Sequence, residues 1–455
     1  MSPTSSNQDG SEPSRPHFAS RFGVLATMIG VAVGLGNVWR FPYMVGQFGG
    51  ATFVLVYTLA VLLIGVPAMA AEWALGRATR RGPVGAFGRA GLPWGKAVGW
   101  GLFFGVTCAT GYYANALGWV LCHAFAQLGA LAGLELPAAA ILPPATGFDP
   151  RSFLLQAGFT ALVIAGCAGV LVAGLRRGTE RASKVLVPAL LLSLLLLIGR
   201  GLTLPGAWEG VRWYLLDVDA VAFRPSVVAA AFGQAFFSLS LGGTFMVVYG
   251  SYLSSRERLW SGALATALGD LGAGLLAGLA ILPAVIALGL APSSGPGLIF
   301  STLPEVYSRI PGGAVFGALF FLTLFGAAFL SAVAAFEVLV AGLVDNLRLT
   351  RSRAVAILAG VVFAAALPPM VNLEIFVPWD LTFGSGLQTT GALLAVITLA
   401  WSLDRGEALR QLAPGGGWRQ YLLVFWLRWV VPAVVLALGL WWLFTEVLGV
   451  LPAPG

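Results

Sequence analysis

From about residue 20 to residue 448 this chain is a succession of eleven apolar runs, each close to the length a helix needs to cross a bilayer. A helix rises about 1.5 Å per residue, so roughly 20 residues traverse a hydrocarbon layer of about 30 Å. The runs fall at about 20–46, 51–76, 97–127, 153–175, 183–200, 226–252, 258–291, 312–344, 353–370, 378–402 and 421–448, numbered here as spans 1 to 11. Composition agrees with this reading. Of all residues 58% are apolar and 10% charged, with mean hydropathy +0.87, whereas a soluble domain carries about 25% charge. The chain is predicted to be an all-α polytopic membrane protein with eleven transmembrane helices.

The net charge of +7 and a pI near 9.7 raise the question of an acidic partner such as nucleic acid. The placement of the charges argues against it. Nineteen of the 26 basic residues, Arg77, Arg80, Arg81, Arg256, Arg258 and Arg351 among them, fall in alternate connecting segments. Six fall on the opposite side, and Arg428 lies within span 11. This is the bias that orients membrane proteins with their basic loops inside. It predicts a multi-pass protein of the cell's inner (plasma) membrane, with a cytosolic N-terminus, an external C-terminus and no nucleic-acid partner. The three cysteines, Cys108, Cys122 and Cys167, lie inside apolar runs without metal-ligand spacing and read as packing residues. The first 14 residues are polar, rich in Ser and Pro, and lack the apolar core of a signal peptide. They are expected to form a disordered cytosolic tail.

Two spans carry residues a continuous helix does not favour. Span 1 contains Gly30-Val31-Ala32-Val33-Gly34-Leu35-Gly36-Asn37-Val38-Trp39-Arg40-Phe41-Pro42, with three glycines in seven residues followed by Asn, Arg and Pro. Glycine loses much backbone entropy in a helix, and proline removes a donor. A helix interrupted at membrane depth frees N–H and C=O groups, which are tolerated only where protein buries them or they line a wet cavity. Residues 30 to 37 are therefore expected to be unwound and to bind something. Span 6 has a second interruption at 232–245, Phe-Gly-Gln-Ala-Phe-Phe-Ser-Leu-Ser-Leu-Gly-Gly-Thr-Phe. Spans 1 and 6 are equivalent positions in two five-span halves. An odd number of spans per half gives the halves opposite orientation, and paired Gly-interrupted spans in such a repeat point to a transporter's binding site. The expected division is a tail at 1–14, a first five-helix repeat at 15–205, a second, inverted one at 206–405, and the eleventh helix with its tail at 406–455.

Four segments carry a specific resemblance: RFGVLATMIGVAVGLGNVWRFPY (21–43), GVPAMAAEWALGR (65–77), FGQAFFSLSLG (232–242) and LAGLAILPA (276–284). They are similar to signatures of the neurotransmitter:sodium symporter family, bacterial amino-acid transporter branch, and the likeness runs from residue 15 to the end of span 11. It implies a LeuT-type 5+5 inverted repeat with unwound helices 1 and 6. The implied activity is Na⁺-coupled amino-acid symport by alternating access.

The resemblance also implies a site. Backbone N–H groups around Leu35 and Gly36 would hold the substrate carboxylate, joined by the Tyr113 hydroxyl. Carbonyls of Ala32 and Phe237, with the Ser240 hydroxyl, would take the ammonium. Gly34 stands where relatives that carry amines without a carboxylate tend to place an aspartate, so an amino acid is favoured over a monoamine. A first sodium site would use Ala32, Asn37, Ser238 and Asp270, oxygen donors suited to a hard cation. Asp270 is an intramembrane carboxylate, a functional candidate in its own right. Where some relatives have asparagine and bind chloride nearby, its fixed charge implies no chloride requirement. A second sodium site would use Gly30, Val33, Ala327 and Ser331. The family usually adds a side-chain oxygen just before that serine, and here the residue is Leu330. One ligand is missing.

The positions matching the substrate side-chain pocket read Ala109, Gly243 and Ala335, where bulkier residues are common. Ser238 and Ser331 would border the substrate as well. Truncated walls leave room that a bulky hydrophobic or aromatic side chain would fill, unless neighbours such as Phe237 and Phe245 close it. Arg40 with Asp380 matches an external gate, and Arg15 with Asp345 a cytosolic one, with Tyr252 nearby. Phe18 stands where tryptophan is usual. Glu72 and Gln234 match buried polar positions that support the gate and the unwound region. His123 and Glu337 read as interior hydrogen-bonding groups without an assigned role. No nucleophile–base pair, metal cluster or phosphate loop points to an enzyme. A sensor or channel-like protein of the same fold, or coupling to one Na⁺ or to H⁺, stays open at this stage.

Overall fold

The computed structural model describes residues 28–30, 32–134, 136–173, 181–254, 257–292, 298–412, 418–442 and 444. The N-terminal tail, Arg15 and Phe18 lie outside them. Among the described residues eight helices are long and apolar enough to cross a membrane. They are Ala51–Thr79, Gly95–Leu131, Pro150–Ala173, Lys184–Leu202, Leu259–Ala287, Gly313–Leu347, Leu373–Ser402 and Tyr421–Trp441, matching spans 2, 3, 4, 5, 7, 8, 10 and 11. Length alone thus supports eight of the eleven expected helices. The other three are not in that set: span 6 is broken into halves, span 9 is a helix of 16 residues, Arg351–Ala366, and most of the first half of span 1 lies outside the described residues.

The breaks are narrower than expected. In span 1 the chain bends at Val33 and Gly34. It then re-forms as a wide turn, Gly36–Arg40, closed by the Phe41 N–H on the Gly36 carbonyl five residues back, before the regular helix Phe41–Phe48. In span 6 the helix Pro225–Ser238 ends, residues 239–244 are irregular, and Phe245–Ser251 resumes. The expected unwinding at 30–37 and 232–245 overshot because Asn37, Gln234 and Ser238, all polar, remain on helix and bond sideways.

The two broken spans pack against each other. Span 8 packs along span 3, span 7 packs on the Gly36–Arg40 turn, and Phe245–Ser251 packs on span 2. Trp73 of span 2, 1% exposed, donates its indole N–H to Met246 Sδ at 3.1 Å and ties that half-helix down. Aromatic rings fill the space behind span 1. Phe41 lies 4.9 Å from Tyr57, and Tyr57 stacks on Phe53 at 6.3 Å, an arrangement that adds to plain burial.

Candidate functional site: a cavity between two broken helices

The bends in spans 1 and 6 face a cavity of about 50 Å³. Ala32, Leu35 and Gly36 of span 1, with Phe237 and Ser240 of span 6, line one side. Ala109 and Tyr113 of span 3, Ser331 and Ala335 of span 8, and Gln388 of span 10 line the other. Sequence reading named all of these except Gln388.

At one end the Leu35 N–H donates to the Tyr113 hydroxyl at 3.3 Å, and that hydroxyl donates to the Ala328 carbonyl at 3.3 Å. The Leu35 N–H and the Tyr113 O–H thus stand side by side at an opened helix, two groups that a carboxylate could accept from in place of these partners. Gly34 is compelled to be glycine here. A Cβ would stand 2.5 Å from Ser331 Oγ and 2.8 Å from the Tyr113 hydroxyl. An aspartate at this position has no room.

Beside the cavity lies a fully buried polar cluster. Asn37 and Asp270 are 0% exposed and Ser238 is 1%. Asn37 Nδ2 approaches Ser238 Oγ at 2.9 Å, Asp270 Oδ1 at 2.7 Å and the Asp270 carbonyl at 3.0 Å, while Ser238 donates to Asp270 Oδ2 at 2.7 Å. The other side of the amide, Asn37 Oδ1, accepts the Gly34 N–H at 3.0 Å. The Tyr57 hydroxyl is buried next to Ser238 and Asp270 without a hydrogen bond of ordinary geometry. Sequence reading missed it, since one tyrosine inside an apolar span carries no distinguishing signal. Of the second set, Ser331 Oγ donates to the Val33 carbonyl at 3.2 Å. Ala327 and Leu330 are buried at 3% and 2% exposure, so an apolar side chain takes the place of the missing oxygen.

The unwound part of span 6 is held by Glu72. Its Oε1 accepts the N–H groups of Gly242 and Gly243, both at 2.9 Å. Ser240 has φ +52° and Gly243 φ +67°. Such a φ is costly outside glycine and tends to cluster at binding sites. Gly243 does not face the cavity. A Cβ there would stand 2.5 Å from the Gly391 carbonyl and 2.9 Å from Phe87 Cζ. The expectation that Gly243 truncates a pocket wall is therefore corrected: its side is filled by span 10 and by Phe87.

Above the cavity the Arg40 guanidinium lies 4.6 Å from the centre of the Phe237 ring, a cation–π contact. Arg40 also donates to Gln234 Oε1 at 3.4 Å, and Gln234 Nε2 donates to the Gly36 carbonyl at 2.8 Å. Asp380 belongs to the electrostatic surroundings of Arg40, together with Tyr43 and Tyr112.

At the opposite end Asp345 Oδ2 accepts the Gly82 N–H at 2.7 Å, at the start of the short helix Pro83–Arg89. Its expected partner, Arg15, lies outside the described residues. Glu337 is explained. It pairs with Arg351, Nη2 to Oε2 at 2.6 Å and Nη1 to Oε1 at 3.2 Å, and its Oε1 also accepts the Tyr252 hydroxyl at 2.8 Å. Arg351 Nε reaches on to the Leu171 carbonyl at 2.9 Å, so spans 4, 6, 8 and 9 meet at one ion pair. His123 sets Nδ1 2.8 Å from the Trp119 carbonyl and stacks on Phe321 at 5.3 Å.

Comparison with known proteins fits this arrangement. The profile of the sodium:neurotransmitter symporter family matches residues 15–133 and 155–444. An uncharacterized sodium-dependent transporter of Bacillus subtilis (strain 168) is 30% identical across 97% of this chain and 99% of its own length. Another sodium-dependent transporter, from Methanocaldococcus jannaschii, is 33% identical over 87% of this chain and 84% of its own. The crystal structure of MhsT in complex with L-phenylalanine superposes with a TM-score of 0.82 at 33% identity, covering 94% of this chain and 99% of that one. Its fold is the LeuT type, and the apolar helices, the two breaks and the match over most of the chain agree with it. A sodium-dependent membrane transporter rather than an enzyme, this chain belongs to the sodium:neurotransmitter symporter family.

Proposed function

We propose that this protein is a sodium-coupled amino-acid symporter of the inner membrane that works by alternating access and takes a bulky hydrophobic or aromatic amino acid. The observation that carries the reading is the meeting of the Leu35 N–H with the Tyr113 hydroxyl at the edge of a cavity walled by Ala109 and Ala335. The paired donors suit a carboxylate, and the small walls suit a large side chain. MhsT, crystallised with L-phenylalanine, supports the same class. The Asn37–Ser238–Asp270 cluster would complete one sodium site with the Ala32 carbonyl. Asp270 would replace chloride as the compensating charge. In this reading the repeats at 15–205 and 206–405 rock about the breaks, and the N-terminus is cytosolic and the C-terminus external. The Arg40 and Asp380 pair closes the outer path, and Arg15 with Asp345 closes the inner one.

A ligand-binding screen of L-amino acids in Na⁺ and in K⁺ tests the proposal. Binding of aromatic and large aliphatic amino acids in Na⁺ is expected, with glycine and alanine competing poorly. Equal binding in K⁺ would remove the sodium assignment. A second reading, coupling to a single Na⁺, rests on Leu330. It is expected to give a sodium Hill slope near 1, rising toward 2 in Leu330→Thr, where the absent oxygen is restored.

A further inference from the structure

Gln388 is the second residue of the regular helix Leu387–Ile397 in span 10, and it lines the cavity. Its Cα, Cβ and Cγ lie against the unwound part of span 6, 3.3 to 3.5 Å from where a Cβ on Gly242 would stand. Its Oε1 is buried and accepts no hydrogen bond. Other polar side chains on the lining have protein partners. The Thr110 hydroxyl donates to the Val106 carbonyl at 2.7 Å, Tyr113 joins the Leu35 N–H to the Ala328 carbonyl, and Ser331 donates to the Val33 carbonyl. Among the described residues, Gln388 is the lining residue that keeps a buried acceptor without a donor.

An amide oxygen buried without a donor is unfavourable, and each such group in a native protein calls for an explanation. Here the missing donor can come from the occupant of the cavity. The neighbouring walls, Ala109, Phe245 and Ala335, are apolar and suit a ring. A short polar side chain or a flexible charged one would leave those walls unfilled. A ring that carries its own donor satisfies both demands at once. Resting on the proposal that a bulky amino acid occupies this cavity, we propose that Gln388 is a specificity-determining residue whose side-chain carbonyl accepts a hydrogen bond from the substrate's own side chain. It selects aromatic amino acids with an N–H or O–H donor over phenylalanine. A pocket that hydrogen-bonds a substrate group rejects analogues lacking it more strongly than an apolar pocket rejects a change in size.

The test is Na⁺-dependent competition binding on the purified full chain, using L-tryptophan, N1-methyl-L-tryptophan and L-phenylalanine against wild type and Gln388→Leu. The methylated indole keeps the ring and removes the donor. Wild type is expected to bind L-tryptophan about tenfold more tightly than its N1-methyl analogue, with Gln388→Leu reducing the gap to about twofold. A wild-type-like melting temperature and gel-filtration profile show that the variant folds. If Gln388→Leu does not fold, the wild-type comparison decides alone. Equal binding of the two indoles by wild type overturns the role of Gln388 while leaving an aromatic substrate in place, as does a gap that persists in Gln388→Leu. If no aromatic amino acid competes while small ones do, the bulky-substrate reading fails and this inference fails with it.

Discussion

The Asn37 side-chain nitrogen lies 2.7 Å from Asp270 Oδ1 and 3.0 Å from the backbone oxygen of the same residue. With Ser238 Oγ at 2.9 Å, three oxygens converge on a nitrogen that has two hydrogens. Buried oxygens gathered from two spans, one pair of them a carboxylate's, are the donor type that a small hard cation takes. Asp270→Ala is expected to abolish Na⁺-dependent binding. Asp270→Asn, which keeps the shape and removes the charge, should weaken sodium about 10- to 100-fold. Sodium titrations in chloride and in gluconate check both. Wild type should be indifferent to the anion, and the Asn variant should prefer chloride.

Gly34 sets a steric limit on the carboxylate end of the cavity. Its absent Cβ would press on Ser331 Oγ and the Tyr113 hydroxyl. Gly34→Ala must displace one of them, at a cost of about 1–3 kcal/mol, and should lower substrate affinity by about 5- to 150-fold. Calorimetric titration reads this directly, and the melting temperature should fall little.

Glu72 replaces the hydrogen bonds that the unwound part of span 6 gave up. Glu72→Ala leaves the Gly242 and Gly243 N–H groups without their acceptor, at about 1–3 kcal/mol each. A clear fall in thermal stability in detergent is expected. Glu72→Gln keeps a carbonyl acceptor and should fall much less. Equal losses in the two variants would mean that charge, not hydrogen bonding, holds the segment.

At the Arg351 end, the Glu337 side chain is 2% exposed and its partner 35%. Arg351→Ala leaves a buried carboxylate with only the Tyr252 hydroxyl, a loss of about 3–5 kcal/mol. The double variant with Glu337→Ala should recover most of it, since the charge left behind does the damage. Thiol labelling of Ser254→Cys should speed up in the single variant as that end opens, and return toward wild type in the double one.

The positions of both breaks were legible because glycine, asparagine and hydroxyl residues at membrane depth have few structural explanations. Their extent was not, because Asn37 and Ser238 satisfy themselves through Asp270 on another span, a contact no local pattern encodes. Glu337 could be read as buried, but its partner Arg351 sits across a turn on the next helix, where only the packed ends bring them together. Gly243 misled for the opposite reason. Sequence shows a missing side chain but not which neighbour fills the gap, and here it is Gly391 and Phe87. Gln388 and Tyr57 are single polar positions in apolar helices, indistinguishable by residue type from many that face nothing.

The turn Gly36–Arg40 closes with a hydrogen bond that spans five residues, Phe41 N–H to the Gly36 carbonyl, where an ordinary helix spans four. One of those residues is, in effect, surplus. Removing any single residue there would let the chain close into a regular helix and rotate everything on one side by about 100°. The Leu35 N–H would swing off Tyr113, or Arg40 would swing off Phe237, while composition and hydropathy stayed nearly unchanged. The length of this stretch is therefore a register mark. Substitution within it can be graded, but insertion or deletion is all-or-none, and chains descended from a common ancestor should differ here in residue type before they differ in residue count.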